Sequence, residues 1–135
     1  MTNIKLLAAS LELIENEFFN TLLVSVVIWK NDENYNIQAI SKNISKILGF
    51  SQENFISKKT IYSDLIHPDD LKRVISEVKN NISEKKLEFT HEPYRIRNNK
   101  GIYKWIKMDI RIIYNKGEVS HFIGYISDCT LEKEL

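Results

Sequence analysis

Residues 102–128 carry the pattern that most constrains the fold of this chain. From Ile102 to Tyr114, Ile102, Lys104, Ile106, Met108, Ile110 and Ile112 fall on one parity, and Tyr103, Trp105, Lys107, Asp109 and Arg111 on the other. Alternation with period two puts successive side chains on opposite faces of a strand. Asn115-Lys116-Gly117 then reads as a turn. From Glu118 to Asp128, Phe122, Gly124 and Ile126 oppose His121, Ile123 and Tyr125. Two long strands joined by so short a turn must pair antiparallel. The first parity is hydrocarbon-rich and must be covered.

The rest of the chain supplies more strands and the cover. Leu23 to Lys30 is dense in β-branched residues and reads as a strand. A second follows the polar turn Asn31-Asp32-Glu33-Asn34, with Ile37 and Ala39 sharing a face. Leu87 to Arg97 reads as one strand ahead of the turn Asn98–Gly101. The middle is helical in short pieces: Ser41 to Leu48, stopped by Gly49; Ile61 to Ile66; and a longer helix from Pro68 to about Ile82. Pro68 suits a first helical turn, where its missing N–H is not needed. The expected fold is α+β: a five-stranded antiparallel sheet with short helices on one face and an N-terminal amphipathic helix.

That N-terminal helix spans residues 3–19. Ile4, Leu7, Leu11, Ile14 and Phe18 step by three and four. They serve either to cover the helix's own domain or to form a seam with a second copy. Trp105, Ile123 and Tyr125, on the outer sheet face, need such a cover. The expected organisation is a cap helix over 1–20, a folded domain over 21–130, and the start of a second helix over 131–135.

Composition excludes some classes of partner. Nineteen basic and 18 acidic side chains give a net charge of +1, which gives no overall pull toward nucleic acid or anionic lipid. The longest apolar stretch, Leu22 to Trp29, is too short to span a bilayer. The single cysteine, Cys129, forms no internal disulfide. A soluble, cytoplasmic domain without membrane contact is expected.

Four marks, in order, now resemble the PAS family of bacterial sensor domains. Ser41-Lys42-Asn43 with Ile47-Leu48-Gly49-Phe50-Ser51 is the first. Leu65-Ile66-His67-Pro68-Asp69-Asp70 is the second. Tyr94-Arg95-Ile96-Arg97 with Gly101 and Trp105 is the third, and Gly124 with Asp128-Cys129-Thr130 is the fourth. The resemblance implies a PAS fold within a signalling protein, such as a histidine kinase or a cyclic-dinucleotide enzyme in a two-component or related system. It also implies a covalently linked output domain after residue 130, with Asp128 and Thr130 carrying the signal out. The aromatic outer face, which needs a cover, makes a homodimer the expected assembly, with cover by the chain's own helix alone as the alternative. Thr130 is expected to cap the exit segment Leu131–Leu135.

No catalytic constellation is read. Cys129 has no histidine partner in its element. His67 reads as a helix-entry residue, and Asp69 and Asp70 as carboxylates favoured at a helix start. A LOV-type flavin needs a cysteine in residues 51–62 and inward amides where the resemblance places Ile96, Ile106 and Ile126. Neither is present. Haem needs an axial ligand. His121 falls on the outer face, and His91 beside Pro93 could face either way, a surface position being the commoner state of a strand histidine. Haem is therefore disfavoured. The expected interior is Val26, Ile28, Ile47, Ile61, Val74, Ile96, Ile106, Met108, Phe122 and Ile126. That makes a packed core without cofactor, or alternatively a pocket for a small apolar ligand. A regulatory sensor is the leading reading. A pure dimerisation scaffold is the alternative.

Overall fold

The computed structural model describes residues 3–134. Strands β1 (Ser25–Lys30), β2 (Ile37–Ile40), β3 (Glu88–Thr90), β4 (Tyr94–Arg97), β5 (Tyr103–Asn115) and β6 (Glu118–Asp128) form one sheet. Its order is β2-β1-β6-β5-β3, with β4 also paired to β5. Every pairing is antiparallel. The β5–β6 hairpin turns through Lys116 and Gly117, at φ 53° and 82°. Two positive φ values match the right-handed twist of the flanking strands. The stretch expected as one strand over 87–97 is two, making six strands. Pro93 brings no ladder donor, and residues 91–93 leave the strand before β4 resumes.

The helices are α1 (Asn3–Glu15), α2 (Ile44–Leu48), α3 (Gln52–Ile56), α4 (Tyr62–Leu65), α5 (Pro68–Ser83) and α6 (Thr130–Glu134). Among the described residues, no helix is long and apolar enough to cross a membrane. Helices α2–α5 cover the inner sheet face, and α1 covers part of the outer. Gly49 ends α2 at φ 79°, where a side chain would also strike Asn99. A reciprocal cap between Ser51 and Asn54 starts α3. At the head of α5, Pro68 takes the first position and His67 Nδ1 accepts from the Asp69 N–H at 3.1 Å. The apolar stripe of α5, Leu71, Val74, Val78 and Ile82, packs into the core.

Two apolar clusters flank the sheet. The inner one contains Val27, Trp29, Ile47, Val74, Ile96, Ile106, Met108, Phe122 and Ile126. The outer one contains Ile14, Val26, Ile28, Ile113 and Ile123, with Leu6, Leu7 and Tyr125 at its edge. Val26 and Ile28, expected inside, therefore lie on the outer face beneath α1. Both faces of β1 are buried, so its unbroken apolar run held no alternation to set the phase.

The seam of α1 is also rotated from expectation. Leu6, Leu7, Ser10 and Ile14 face the sheet, and Ser10 is buried. A small residue at the contact lets the helix sit close. Leu11 instead faces out at 39% exposure, and Phe18, beyond the end of α1, is 75% exposed. The Ile4 side chain and Leu135 lie outside the described residues.

The link from α1 to β1 is fastened by a buried polar cluster. Asn43 Nδ2 donates to the carbonyls of Val24, Leu22 and Phe19 at 2.7, 3.0 and 3.3 Å. Ser41 Oγ donates to Asn43 Oδ1 at 2.6 Å, so the Ser25 hydroxyl, 2.6 Å away, donates to Ser41.

Candidate ligand cleft and exit junction

Between the inner sheet face and helices α3–α5 lies a cleft of about 690 Å³, within the range of small-molecule sites. Trp29, Phe55, Val74, Met108, Ile110 and Phe122 give it an apolar wall. Glu33, Lys58 and Asp64 stand in its lining with Ile61, which is 41% exposed. Gly124 shapes this wall. A Cβ there would come 2.6 Å from the Trp29 ring and 2.8 Å from Met108 Sδ, so the Trp29 ring lies where any side chain at 124 would stand.

Of the residues expected inside, Ile61, Val74, Met108 and Phe122 line the cleft. Ile47, Ile96, Ile106 and Ile126 belong to the same inner core without lining it. Val26 and Ile28 are on the other face.

Sequence reasoning missed the polar groups of the cleft. Tyr62 Oη and Tyr94 Oη are 2.8 Å apart and buried. Burial pushes both phenols above their usual range, so both are neutral. His91, whose face the sequence left open, is 4% exposed and lines the cleft. Its ring packs edge-on against Phe89 and Tyr94. His91 Nδ1 lies 2.9 Å from Glu77 Oε1. Arg73 Nη1 donates to that same oxygen at 3.0 Å, and Arg73 also donates to the carbonyls of Glu92 and Pro93. Burial lowers the His91 pKa, although Glu77 pulls the other way. The available signal was the pairing of His91 with Pro93, which breaks a strand and frees a side chain to turn inward.

A second constellation lies where the chain leaves the sheet. Asp70 accepts from Arg95 N, Nε and Nη2 at 2.9, 3.0 and 2.9 Å. These bonds hold its carboxyl below the usual range. Arg95 in turn lies over the Trp105 ring at 5.1 Å, and Lys133 of α6 lies over it at 4.7 Å. Trp105 was expected beneath the N-terminal helix. It sits near the opposite end of β5 from Ile113 and is flanked by these two cations, while Ile123 and Tyr125 do meet the α1 side. Thr130 Oγ1 accepts from Trp105 N at 2.9 Å, and Cys129 N donates to Trp105 O at 2.8 Å. Thr130 thus ties α6 to β5 rather than capping the helix. The cap-like bond is made by Asp128 Oδ1, which accepts from Thr130 N at 2.8 Å. The Cys129 thiol is pushed up by burial and by nearby Glu132 and Asp128, so it is not a nucleophilic thiolate.

A profile of the PAS fold family matches residues 37–126. The chain is a PAS domain. A methyl sulfide methyltransferase-associated sensor of Methanosarcina acetivorans is 36% identical over 124 residues, 89% of this chain. The PAS domain spans about 12% of that relative's length. The N-terminal domain of a diguanylate cyclase with PAS/PAC sensor from Marinobacter aquaeolei aligns at TM-score 0.66 and 22% identity, covering 82% of this chain and 98% of the other. A sensory box histidine kinase/response regulator from Burkholderia thailandensis aligns at TM-score 0.66 and 24% identity, covering 82% and 80%. At such identities these two structures speak for the fold. The PAS domain's inner positions Ile96, Ile106 and Ile126 are fully buried.

Proposed function

We propose that this PAS domain is the regulatory input module of a longer signalling protein and performs no chemistry itself. The observation that carries this reading is the position of β5. Its inner face gives Met108 and Ile110 to the cleft. Its outer face gives Trp105 to the exit helix through Thr130 and Lys133. One strand therefore touches both the input cavity and the outgoing chain. A small shift of β5 changes the seating of α6, and packed elements pass such shifts on as discrete rearrangements.

The likeness to a sensor, a diguanylate cyclase domain and a histidine kinase supports an output domain of that signalling kind, joined after α6. The reading needs no prosthetic group, and a visible absorbance spectrum tests this, because haem would give an intense band. The proposed setting is cytoplasmic. The proposed assembly is a homodimer through the outward side of α1 and the segment after it. Leu11, Leu13, Phe18, Leu22 and Leu23 are all exposed there, and apolar side chains left bare in this number favour association. Light scattering should give twice the chain mass, and a monomer at high concentration would remove the dimer.

The regulatory reading is tested in the longer protein. Asp128→Ala and Trp105→Ala should make output unresponsive while the domain stays folded. Output from both variants equal to wild type would refute it and favour a passive scaffold.

A further inference from the structure

The inner lining of the cleft presents polar groups that the fold itself uses only in part. Tyr62 and Tyr94 each carry one hydroxyl proton, and the 2.8 Å bond between them consumes one. Among the described residues, neither oxygen makes another hydrogen bond, so the pair retains one O–H donor. Both rings line the cleft. His91 supplies the complement. A carboxylate only accepts, so the proton between His91 and Glu77 belongs to Nδ1. In the neutral ring Nε2 is then an acceptor. Burial keeps the ring neutral despite Glu77, with Arg73 the other charged neighbour. His91 Nε2 makes no hydrogen bond among the described residues, and His91 lines the cleft.

The buried lining thus offers an O–H of the tyrosine pair and the Trp29 indole N–H as donors and one acceptor, His91 Nε2, against an apolar body of Val74, Met108, Phe122 and the Trp29 ring, while Asn34, Asn36, Thr60 and Ser63 line the cleft as half-buried or exposed residues. Its charged residues are Lys58 with Glu33 and Asp64, which favours no anion. Arg73 is occupied by Glu77 and two carbonyls and does not line the cleft.

We propose that this cleft binds a small neutral molecule with one hydroxyl on an apolar ring body, an alcohol or phenol. Its oxygen accepts from the Tyr62–Tyr94 pair and its O–H donates a hydrogen bond to His91 Nε2. This names the input that the regulatory reading leaves open, and it rests on that reading only for what binding does to output.

The test uses the 135-residue chain and three matched probes, 1-indanol, 1-indanone and indane, titrated by NMR. 1-Indanol should bind saturably, moving the Trp29 indole and His91 ring signals. 1-Indanone accepts but does not donate, and should bind about tenfold more weakly, because Nε2 is left unpaired. Indane should bind more weakly again. In His91→Leu the preference of 1-indanol over 1-indanone should disappear. In the double variant Tyr62→Phe, Tyr94→Phe the advantage of 1-indanone over indane should disappear. Should either variant not fold, the ranking of the three probes on the unaltered chain still decides. Indane binding as tightly as 1-indanol, saturable binding by none of the three, or an unchanged ranking in folded His91→Leu would each overturn the site. The expected ranking with an unresponsive longer protein would instead overturn the regulatory reading and leave the site standing.

Discussion

Replacing Asp70 by Asn should weaken the domain in a way that depends on pH. Asp70 accepts all three of its Arg95 bonds through its two carboxylate oxygens. Asn keeps one acceptor for the Arg95 backbone N–H but turns an amide donor toward the guanidinium. The Nη2 bond to Oδ1 is lost outright, and the Nε bond, made to the same Oδ2 as the backbone N–H, keeps an acceptor that no longer carries charge. The side chains are 10% and 28% exposed, so the pair lies between a surface bridge and a buried one. Freed Arg95 can reach water, which keeps the penalty below that of a fully buried unpaired charge. A cost of about 2 kcal/mol follows, or a fall in Tm of about 8 °C for a domain of this size. The Asp70 pKa is depressed in the folded state, first by the Arg95 side-chain bond. Its contribution is therefore fully present above the unfolded value and is lost as pH falls through the folded one. Urea unfolding of both proteins from about pH 7 down to about pH 3 should show a full gap that narrows in acid, with equal slopes in denaturant. Carboxylates elsewhere titrate in both proteins and cancel in the difference. A gap that is the same at both ends of the range would refute the reasoning.

Gly124→Ala would place a methyl 2.6 Å from the Trp29 ring; thermal unfolding should show a loss of about 1–3 kcal/mol, and an unchanged Tm would contradict the close packing. Asn43→Ala removes the donor to three carbonyls and the acceptor of Ser41. It should cost about 2–3 kcal/mol and speed amide exchange in α1; exchange rates equal to wild type would show that the clamp does not hold the helix.

The β5–β6 hairpin was legible in the sequence because each strand keeps one wetter face, which leaves alternation visible. On β1 both faces are buried, so Val26 and Ile28 could not be assigned to one side. The phase of α1 was misread because Leu6 and Leu11 flank Leu7 with equal hydrophobicity, and only the packing of Ser10 against the sheet chooses between them. Motif order located Asp70, Arg95, Trp105 and Thr130. It did not reveal that they form one stack, because their bonds span 25 residues of sequence. The Tyr62–Tyr94 pair is likewise 32 residues apart and leaves no local signature. The inward turn of His91 depends on how the strand breaks at Pro93, which period-two reasoning does not describe.

The chain contains two tryptophans, one in the cleft wall and one at the exit junction, so fluorine NMR of the 5-fluorotryptophan-labelled domain reads both ends of the proposed route at once. Val78→Phe, which adds bulk from α5 into the cleft, should move the Trp105 resonance together with that of Trp29. A shift confined to Trp29, with Trp105 unmoved, would contradict the transmission of a change in the cleft through β5 to the outgoing helix.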